Sequence, residues 1–283
     1  MQSQKNFPRY FSCEFFPPKT EQGMEKLLAV SKQLKAEINP AFFSVTFGAG
    51  GSTRERTFEA VTQINKHSHV SVAPHLSCIG STREQLSEIL QTYKTQKIHR
   101  IVALRGDMPS GTVSKGEFNY ANELVSFIRQ QHGDLFHIEV AAYPEFHPQA
   151  RSASHDLQNF RRKVEAGADT AITQYFYNID AYLRFVESCE KMGVNIAITP
   201  GIMPITNYTN LARFSDACGA EIPLWLRKRL MDFGDDVESI KSYGSDVVTE
   251  LCNRLLAEGA PGLHFYTMNQ TEATVRIWNN IKP

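Results

Sequence analysis

Short apolar segments rich in β-branched and aromatic residues alternate along the chain with segments of amphipathic helical pattern. Eight of the apolar segments predict β-strands. Most of them are continuous apolar runs, which is typical of strands that are buried on both faces of a parallel sheet. The predicted strands are Tyr10–Phe15, Phe42–Thr46, Val70–His75, Arg100–Leu104, His137–Ala142, Thr170–Phe176, Ile196–Pro200 and Gly262–Tyr266.

The segments between these strands carry helix signals. Ser81–Glu84 has the spacing of a capping box, and an apolar stripe at helical spacing follows it. Another helix is predicted over Asp156–Ala166, with Gly167 as its stop. The connection from Asn207 to Gly259 is long and predicts more than one helix before the last strand.

Eight strand and helix repeats in 283 residues favour a single (β/α)8 TIM barrel, with extra helices before the last strand. A doubly wound sheet is the alternative, but the chain contains neither GxGxxG nor GxxxxGK[ST]. No low-complexity linker or other boundary signal divides the chain. We therefore expect one catalytic domain over residues 1–283.

The composition narrows the class of protein. The formal net charge of +0, from 30 basic and 30 acidic side chains, argues against a nucleic-acid partner bound by bulk charge. No apolar run approaches the length that spans a bilayer, and the first residues lack the apolar core of a signal peptide. Five scattered cysteines without CxxC spacing fit reduced thiols. We expect a cytoplasmic protein with no membrane partner.

Glu14 is the first candidate for a catalytic residue. It ends an apolar run that Pro17 and Pro18 stop, and burial raises the pKa of a carboxyl group. A raised pKa is what a general acid needs near neutral pH. The alternative is a strand-end carboxylate paired with a lysine or arginine.

Polar side chains also stand at the ends of nearly all the remaining predicted strands. The catalytic face of a barrel lies where the carboxyl ends of its strands meet the following loops, so these side chains predict one lined pocket. The set includes Thr46, His75, Arg105, Asp107, Tyr143, Glu145, His147, Gln174 and His264.

Other kinds of site are less well supported. The chain has no HExxH and no GxSxG motif. His75, His147 and Glu145 could form a metal site, but a histidine at a strand end is more often a hydrogen-bonding or stacking residue, and we predict no metal.

Two segments could bind an anion. Glycines in Gly48–Thr53 would let backbone amides approach one, although a plain turn with a helix cap is the preferred interpretation. The basic residues Arg151, Arg161, Arg162 and Lys163 would suit a pyrophosphate, and their alternative is a solvated basic face.

Eight short motifs, one at each predicted strand end and in the same order, resemble the methylenetetrahydrofolate reductase family in its short bacterial form. Each motif is weak alone, but eight in order are specific, and the resemblance runs from about Tyr10 to Trp278. The motifs are Glu14–Pro18, Phe43–Thr46, Ala73–Leu76, Ala103–Asp107, Ala142–Pro148, Ala171–Phe176, Pro200–Pro204 and His264–Thr267.

The resemblance implies a (β/α)8 barrel with non-covalent FAD and a ping-pong cycle. NAD(P)H, with NADH favoured, reduces the flavin, and 5,10-methylenetetrahydrofolate then takes the hydride to become 5-methyltetrahydrofolate for methionine synthesis. Glu14 resembles the general acid of the family. Asp107 resembles an aspartate near flavin and folate, and its alternative role is a loop cap.

The resemblance also assigns binding residues. Thr46 lies at the nicotinamide side, Gln174 serves folate and nicotinamide in turn, and Phe214 resembles an aromatic gate whose alternative is a helix core residue. The substrate-binding set is Thr46, Asp107, Gln174, Asn210, Phe214 and Gln270. The FAD-binding set is Phe47, His75, Arg105, Gly106, Asp107, Tyr120, Ala121, Tyr143, His147, Asp156, Asn159, Arg162 and Lys163.

Two positions depart from the family pattern. Gln270 stands where an arginine is common, and it cannot form an ion pair with a carboxylate. Asn210 stands where bacterial relatives can have glutamine. We therefore expect activity with an altered folate affinity.

The resemblance further implies a homo-oligomer, either a dimer or a tetramer. With no C-terminal regulatory domain, we expect no inhibition by S-adenosylmethionine. Two other functions stay open. One is another flavin-dependent barrel oxidoreductase, such as a proline dehydrogenase, and the other is a flavin- or folate-binding protein without turnover.

Overall fold

The computed structural model describes residues 1–47, 51–107 and 116–281, with the side chains of residues 51–54 outside the description. After a short 3-10 helix at Ser3–Asn6, the described residues form nine strands and ten α-helices. The strands are β1 (Tyr10–Phe15), β2 (Phe42–Val45), β3 (Ser71–Ser77), β4 (Arg100–Leu104), β5 (His137–Ala142), β6 (Thr170–Thr173), β7 (Ala197–Thr199), β8 (Gly201–Ile202) and β9 (Gly262–Tyr266).

A helix follows each strand except β7, which leads directly into β8. The three helices before the last strand confirm the extra helices that the long connection predicted. The helices are α1 (Glu21–Ile38), α2 (Gly51–Ser68), α3 (Arg83–Thr95), α4 (Ala121–His132), α5 (Ala153–Glu165), α6 (Ile179–Lys191), α7 (Tyr208–Cys218), α8 (Leu224–Asp232), α9 (Val237–Glu258) and α10 (Glu272–Asn280). Within the described ranges, none of them is both long and apolar enough to cross a bilayer.

All strand pairs are parallel, in the order β7-β6-β5-β4-β3-β2-β1-β9-β8. The two end strands, β7 and β8, are the two halves of one interrupted strand, separated by Pro200. The predicted seventh strand ended at Pro200 and so included only the first half. Proline has no N–H to donate to a ladder, so the strand breaks there. Because one half pairs with β6 and the other with β9, the sheet closes, and the predicted (β/α)8 barrel is confirmed.

Element boundaries differ from the predictions by a few residues. The capping box of α3 is formed by Thr82 and Gln85, one residue later than predicted, because the extended backbone of Thr82 lets its side chain accept from the Gln85 N–H. The predicted sixth strand ends early, at Thr173, so that Gln174 begins the following loop. Ser152 caps α5, which starts three residues before the predicted position.

The core has two parts. A large cluster fills the space between the barrel and its helices. A small one lies inside the barrel and consists of Phe42, Ala73, Val102 and Ile172, with Tyr10 and Leu104 packed against it.

A polar cluster occupies the amino-terminal end of the barrel, below the small apolar cluster. Glu139 is fully buried and accepts hydrogen bonds from Arg100 and Thr170. His137 Nε2 lies 3.5 Å from Glu139 Oε1. Burial raises the pKa of Glu139, but His137 and Arg100 outweigh burial and hold it below its usual range.

Candidate active site

The carboxyl ends of the strands surround a cavity of about 740 Å³, which we call the central cavity. It lies where the catalytic face of a barrel is expected. Eight of the residues predicted for the site line it together, which confirms that the strand ends form one pocket. They are Glu14, Thr46, His75, Asp107, Tyr143, His147, Gln174 and Phe214.

Glu14 points into this cavity from the end of β1. Its Oε2 lies 3.1 Å from His75 Nε2 and 3.3 Å from His264 Nε2. Ser44 Oγ donates to the same oxygen at 3.2 Å. Two histidines therefore surround the carboxylate, and neither predicted partner type, lysine or arginine, is among these contacts.

The pKa of Glu14 moves opposite to the direction that we predicted. Burial alone raises the pKa of this carboxyl group, as the sequence suggested. The nearby His75 and His264 outweigh burial and hold the pKa well below its usual range. The prediction of a raised pKa is therefore wrong, because nothing in the local sequence indicates that both histidines meet Glu14.

His264 was predicted as a strand-end residue of the pocket, but the sequence assigned it no role. It is fully buried on β9, and its Nδ1 shares a 2.7 Å hydrogen bond with Ser12 Oγ. The parallel pairing of β1 and β9 places Ser12 opposite His264, two residues before Glu14 on the same strand face. Ser12, His264 and Glu14 thus form a continuous polar chain. The sequence does contain a signal for this contact, because Ser12 and His264 are polar residues within two otherwise apolar strands.

A second cavity of about 560 Å³ adjoins the first, and we call it the outer cavity. Asp107, Tyr143 and His147 line both cavities, so the two form one elongated space. Ten predicted FAD-binding residues line the outer cavity. They are Arg105, Gly106, Asp107, Tyr120, Ala121, Tyr143, His147, Asp156, Asn159 and Lys163.

The outer cavity is suited to an anionic group. Lys163 is half-buried there, and desolvation lowers the pKa of its ammonium group to about 8. Its Nζ donates to the Ala141 carbonyl oxygen. Arg151 and Arg105 also line the cavity, and the amino terminus of α4 at Ala121 adds backbone N–H groups.

His147 is held in one tautomer at the border of the two cavities. The Gln149 N–H donates to its Nδ1 at 3.0 Å, which leaves Nε2 to carry the ring proton. Burial lowers the pKa of His147. The ring packs edge-on against Tyr143, with centroids 4.7 Å apart.

Two further features belong to this space, a glycine in close contact with a neighbouring strand end and a buried histidine nitrogen. Gly106 has a φ of +81°, and a Cβ there would lie 1.7 Å from Ser77 Oγ, so only glycine is tolerated. His75 Nε2 is buried and, among the described residues, contacts the Glu14 charge without an aligned hydrogen-bond partner. A buried donor of this kind is normally satisfied, so a ligand in the cavity would complete it.

Several predicted residues lie outside both cavities. Arg162 is exposed and donates to Asn159 Oδ1 at 2.7 Å, so it reaches the outer cavity only through that side chain. Asn210 is exposed on the first turn of α7. Gln270 is exposed and lines a separate cavity of about 60 Å³. Phe47 follows Thr46 but is not part of either lining.

Four other predictions have different outcomes. Phe214 is 37% exposed and lines the central cavity, so it is not a core residue. The Asp107 side chain is 91% exposed at the border of the two cavities, 3.8 Å from Arg105. Arg161 pairs with Glu165 at 2.7 Å on the solvated face of α5. Residues 48–50 of the possible anion site in Gly48–Thr53, and the side chains of the rest, lie outside the described residues.

Across the described parts of the chain, no three His, Cys, Asp or Glu side chains gather as metal ligands. Glu145, one of the residues weighed for such a site, instead accepts from the Glu221 N–H at 2.8 Å. Burial raises the pKa of Glu145.

Comparison with known proteins agrees with this geometry. A family model described as methylenetetrahydrofolate reductase matches residues 2–282. The 5,10-methylenetetrahydrofolate reductase of Escherichia coli K12 is 40% identical over 270 residues, which is 95% of this chain and 90% of that protein. Methylenetetrahydrofolate reductase (NADH) 1 of Arabidopsis thaliana is 39% identical over 284 residues, and the match covers 96% of this chain but 48% of that protein.

Solved structures support the fold. A Clostridium thermocellum protein that binds two copies of 5-methyl-5,6,7,8-tetrahydrofolic acid superposes with a TM-score of 0.64 at 16% identity, over 99% of this chain and 96% of that one. Dihydropteroate synthase from Xanthomonas albilineans gives 0.54 at 11% identity, over 97% and 93%. At such low identity these likenesses concern the barrel alone. The family match and the 40% identity to curated relatives go further: the protein is an oxidoreductase and belongs to the methylenetetrahydrofolate reductase family.

Proposed function

We propose that the protein reduces 5,10-methylenetetrahydrofolate to 5-methyltetrahydrofolate, with FAD as cofactor and NADH as hydride donor. The observation that carries the proposal is the position of Glu14. A carboxyl group flanked by two histidines faces a large cavity, and that cavity continues into a second, cationic one. A proton source next to a space for a flat ligand is what opening the folate ring requires.

The outer cavity would hold the adenosine and pyrophosphate part of FAD. Lys163, Arg105 and Arg151 supply positive charge for the pyrophosphate, and Asp156 and Asn159 supply hydrogen-bonding groups for the ribose. The family is generally flavin-dependent. When bound, FAD supplies the ability to accept a hydride from one ligand and give it to another.

Glu14 would deliver the proton to the nitrogen that leaves when the five-membered ring of the folate opens. His75 and His264 favour the ionised form of Glu14. A cofactor that engages the free face of His75 would weaken that contact, and a folate that excludes water would strengthen the effect of burial. Both changes would move the proton onto Glu14, which makes the acid active only in the loaded site.

The other residues of the central cavity would orient the ligands. The Gln174 amide can both donate and accept, which suits two ligands that use one site in turn. The exposed ring of Phe214 offers a surface on which a flat heterocycle can stack. The negative charge of Asp107 would favour a cationic iminium form of the folate.

The visible spectrum tests the proposal most directly. We expect a flavin spectrum that bleaches when NADH is added without air and returns when 5,10-methylenetetrahydrofolate is added. NADPH should bleach it more slowly than NADH. A colourless protein that cannot take up FAD, or a reduced flavin that the folate leaves unchanged, would contradict the proposal.

Glu14→Gln separates the acid role from the rest of the reaction. The amide keeps the size of the side chain but cannot donate the required proton, so reduction of the folate should be lost. NADH oxidation with a quinone as acceptor should continue, because that reaction needs no such acid. Full folate reduction by the variant would show that the acid role is wrong.

We also propose that the protein forms a homo-oligomer. Leu224, Trp225 and Met231 on α8 are 65%, 54% and 58% exposed, which is unusual for large apolar side chains on one short helix. Sedimentation velocity should show a species larger than the chain mass of 32.0 kDa, and a monomer at micromolar concentration would contradict the proposal.

A further inference from the structure

The chain leaves β1 in an unusual way. Phe16 follows the last residue of the strand and precedes Pro17 and Pro18, which have no N–H groups and cannot extend the ladder. Glu14 and Phe16 are two residues apart, so the extended backbone turns both toward the same side. Accordingly, the Phe16 side chain lines the central cavity and is 42% exposed.

Asn269 pairs with the backbone of Phe16 as another strand would. Its Oδ1 accepts from the Phe16 N–H at 3.0 Å, and its Nδ2 donates to the Phe16 carbonyl oxygen at 2.8 Å. A single side chain thus satisfies both backbone groups of a residue that has no strand partner at this position.

The loop that carries Asn269 is shaped for this contact. Met268 and Asn269 both have left-handed backbones, with φ of 52° and 55°. Two consecutive non-glycine residues in this region cost conformational energy, and such backbones occur where a site requires them. Thr267 Oγ1 donates to the Glu14 carbonyl oxygen at 2.7 Å and accepts from the Asn269 N–H at 3.2 Å. The same loop therefore fixes the backbone of Glu14 and of Phe16.

We propose that Phe16 is a folate-contacting residue of the central cavity and that Asn269 is the positioning residue that holds it. Phe16, directly after β1, and Phe214, on α7, line the same cavity, and both side chains are partly exposed. The ligand class is a flat heteroaromatic ring, which aromatic side chains bind by stacking or edge contact. Phe16 lies two residues after Glu14 in the lining of the same cavity, and only the folate needs that acid, so we assign Phe16 to the folate. This inference rests on the proposed function.

The test compares the two half-reactions in the flavin-loaded enzyme. Phe16→Leu keeps an apolar side chain but removes the ring, and it should raise the KM for 5,10-methylenetetrahydrofolate about tenfold, the loss expected for one aromatic contact. The KM and kcat for NADH with a quinone acceptor should change less than twofold. Phe16→Tyr keeps the ring and should restore the folate KM.

Asn269→Gly removes the amide while still permitting the left-handed backbone, so it tests positioning without added strain. It should reproduce the folate effect of Phe16→Leu with flavin content unchanged. Asn269→Asp keeps the acceptor for the Phe16 N–H, so it should raise the folate KM less than Asn269→Gly does. Asn39→Gly is the matched control, since Asn39 has a φ of 50° at the carboxyl end of α1, away from the cavity.

The outcomes separate the two claims. If the wild-type flavin is not reoxidised by the folate, the proposed function fails before the variants are compared. If the wild type is active, equal losses in both half-reactions, a loss confined to NADH, or no change in Phe16→Leu and Asn269→Gly would each overturn the inference.

Discussion

Glu14 depends on residues that are far away along the chain. His75 and His264 lie 61 and 250 positions later, yet both ring nitrogens reach the same carboxylate oxygen. The apolar run around Glu14 predicted burial, and burial does raise the pKa. The net direction is set by the histidines, which only the closed barrel brings together. Local sequence therefore identified the residue but not its ionisation.

Replacing His264 should change the acid strength of Glu14. His264→Asn keeps a polar side chain but removes a group that stabilises the carboxylate, so the pKa of Glu14 should rise. Folate reduction needs protonated Glu14 and falls as pH rises through its pKa. The falling limb of the pH profile for flavin reoxidation by the folate should therefore move to higher pH. The profile for NADH and quinone is the control, and an equal shift in both would contradict the assignment.

Lys163 should make cofactor affinity depend on pH. Its pKa is lowered by burial to about 8, and only the protonated form attracts a pyrophosphate. FAD affinity of the apoprotein should therefore fall as pH rises above about 8. Titration of apoprotein with FAD from about pH 7 to pH 9.5 measures this. Lys163→Arg stays charged over the range and should bind FAD with a flatter profile. The same decline in both proteins would contradict the role of Lys163.

At the scale of elements, the strands were easier to predict than the places where they end. All eight predicted strands are present, because apolar runs between polar segments mark buried strands. The predicted seventh strand ends at Pro200, and the short strand β8 that resumes the pairing after this proline was missed. A break in pairing depends on which neighbour lies on each side, and that is a property of the closed sheet. The side chains of Gln270 and Asn210 likewise lie outside the central and outer cavities, which their positions in the sequence did not indicate.

The amino-terminal 3-10 helix acts as an additional pairing element for the barrel. Gln4 is 1% exposed, its Nε2 donates to the Ile196 carbonyl oxygen at 3.1 Å, and its Oε1 accepts from the Ile198 N–H at 2.8 Å. The amide thus pairs with β7 in the way that Asn269 pairs with Phe16. Nothing in the pattern around Gln4 marks it as buried, so the sequence did not indicate this contact.

Gln4→Ala should destabilise the protein without affecting the site. It leaves a buried N–H and a buried carbonyl of the β7 segment without their partner, which costs about 2 kcal/mol in the free energy of unfolding. Denaturant unfolding of the two proteins measures the difference. Gln2→Ala, at an exposed position two residues earlier, is the control and should unfold like the wild type. A stable Gln4→Ala protein would show that the contact contributes little.

At the scale of the whole molecule, the two ends of the barrel have different tasks. The carboxyl ends of the strands carry the cavities, while Arg100, His137 and Thr170 at the strand starts surround Glu139. In barrels of this type, the chemistry lies at the first end and the second serves stability. The Arg100 guanidinium also lies over the Phe42 ring, 4.4 Å from its centroid, and so covers the small apolar cluster at the amino-terminal end of the barrel. Changes at this end should therefore affect unfolding and leave turnover intact.

Glu139→Gln tests that division. The amide cannot balance the charge of Arg100, and breaking a largely buried ion pair costs about 3 kcal/mol, so the free energy of unfolding at pH 7 should fall by that amount. The pKa of Glu139 is lowered in the folded state, so its contribution is present above the ordinary value of 4.5 and is lost as pH falls. As the pH falls, the free energy of unfolding of the wild type should therefore approach that of Glu139→Gln. Glu187→Gln breaks an exposed pair with Lys191 and should leave stability nearly unchanged. Folate reduction per folded molecule should match the wild type in both variants, and a lower kcat in Glu139→Gln would show that the two ends of the barrel are coupled.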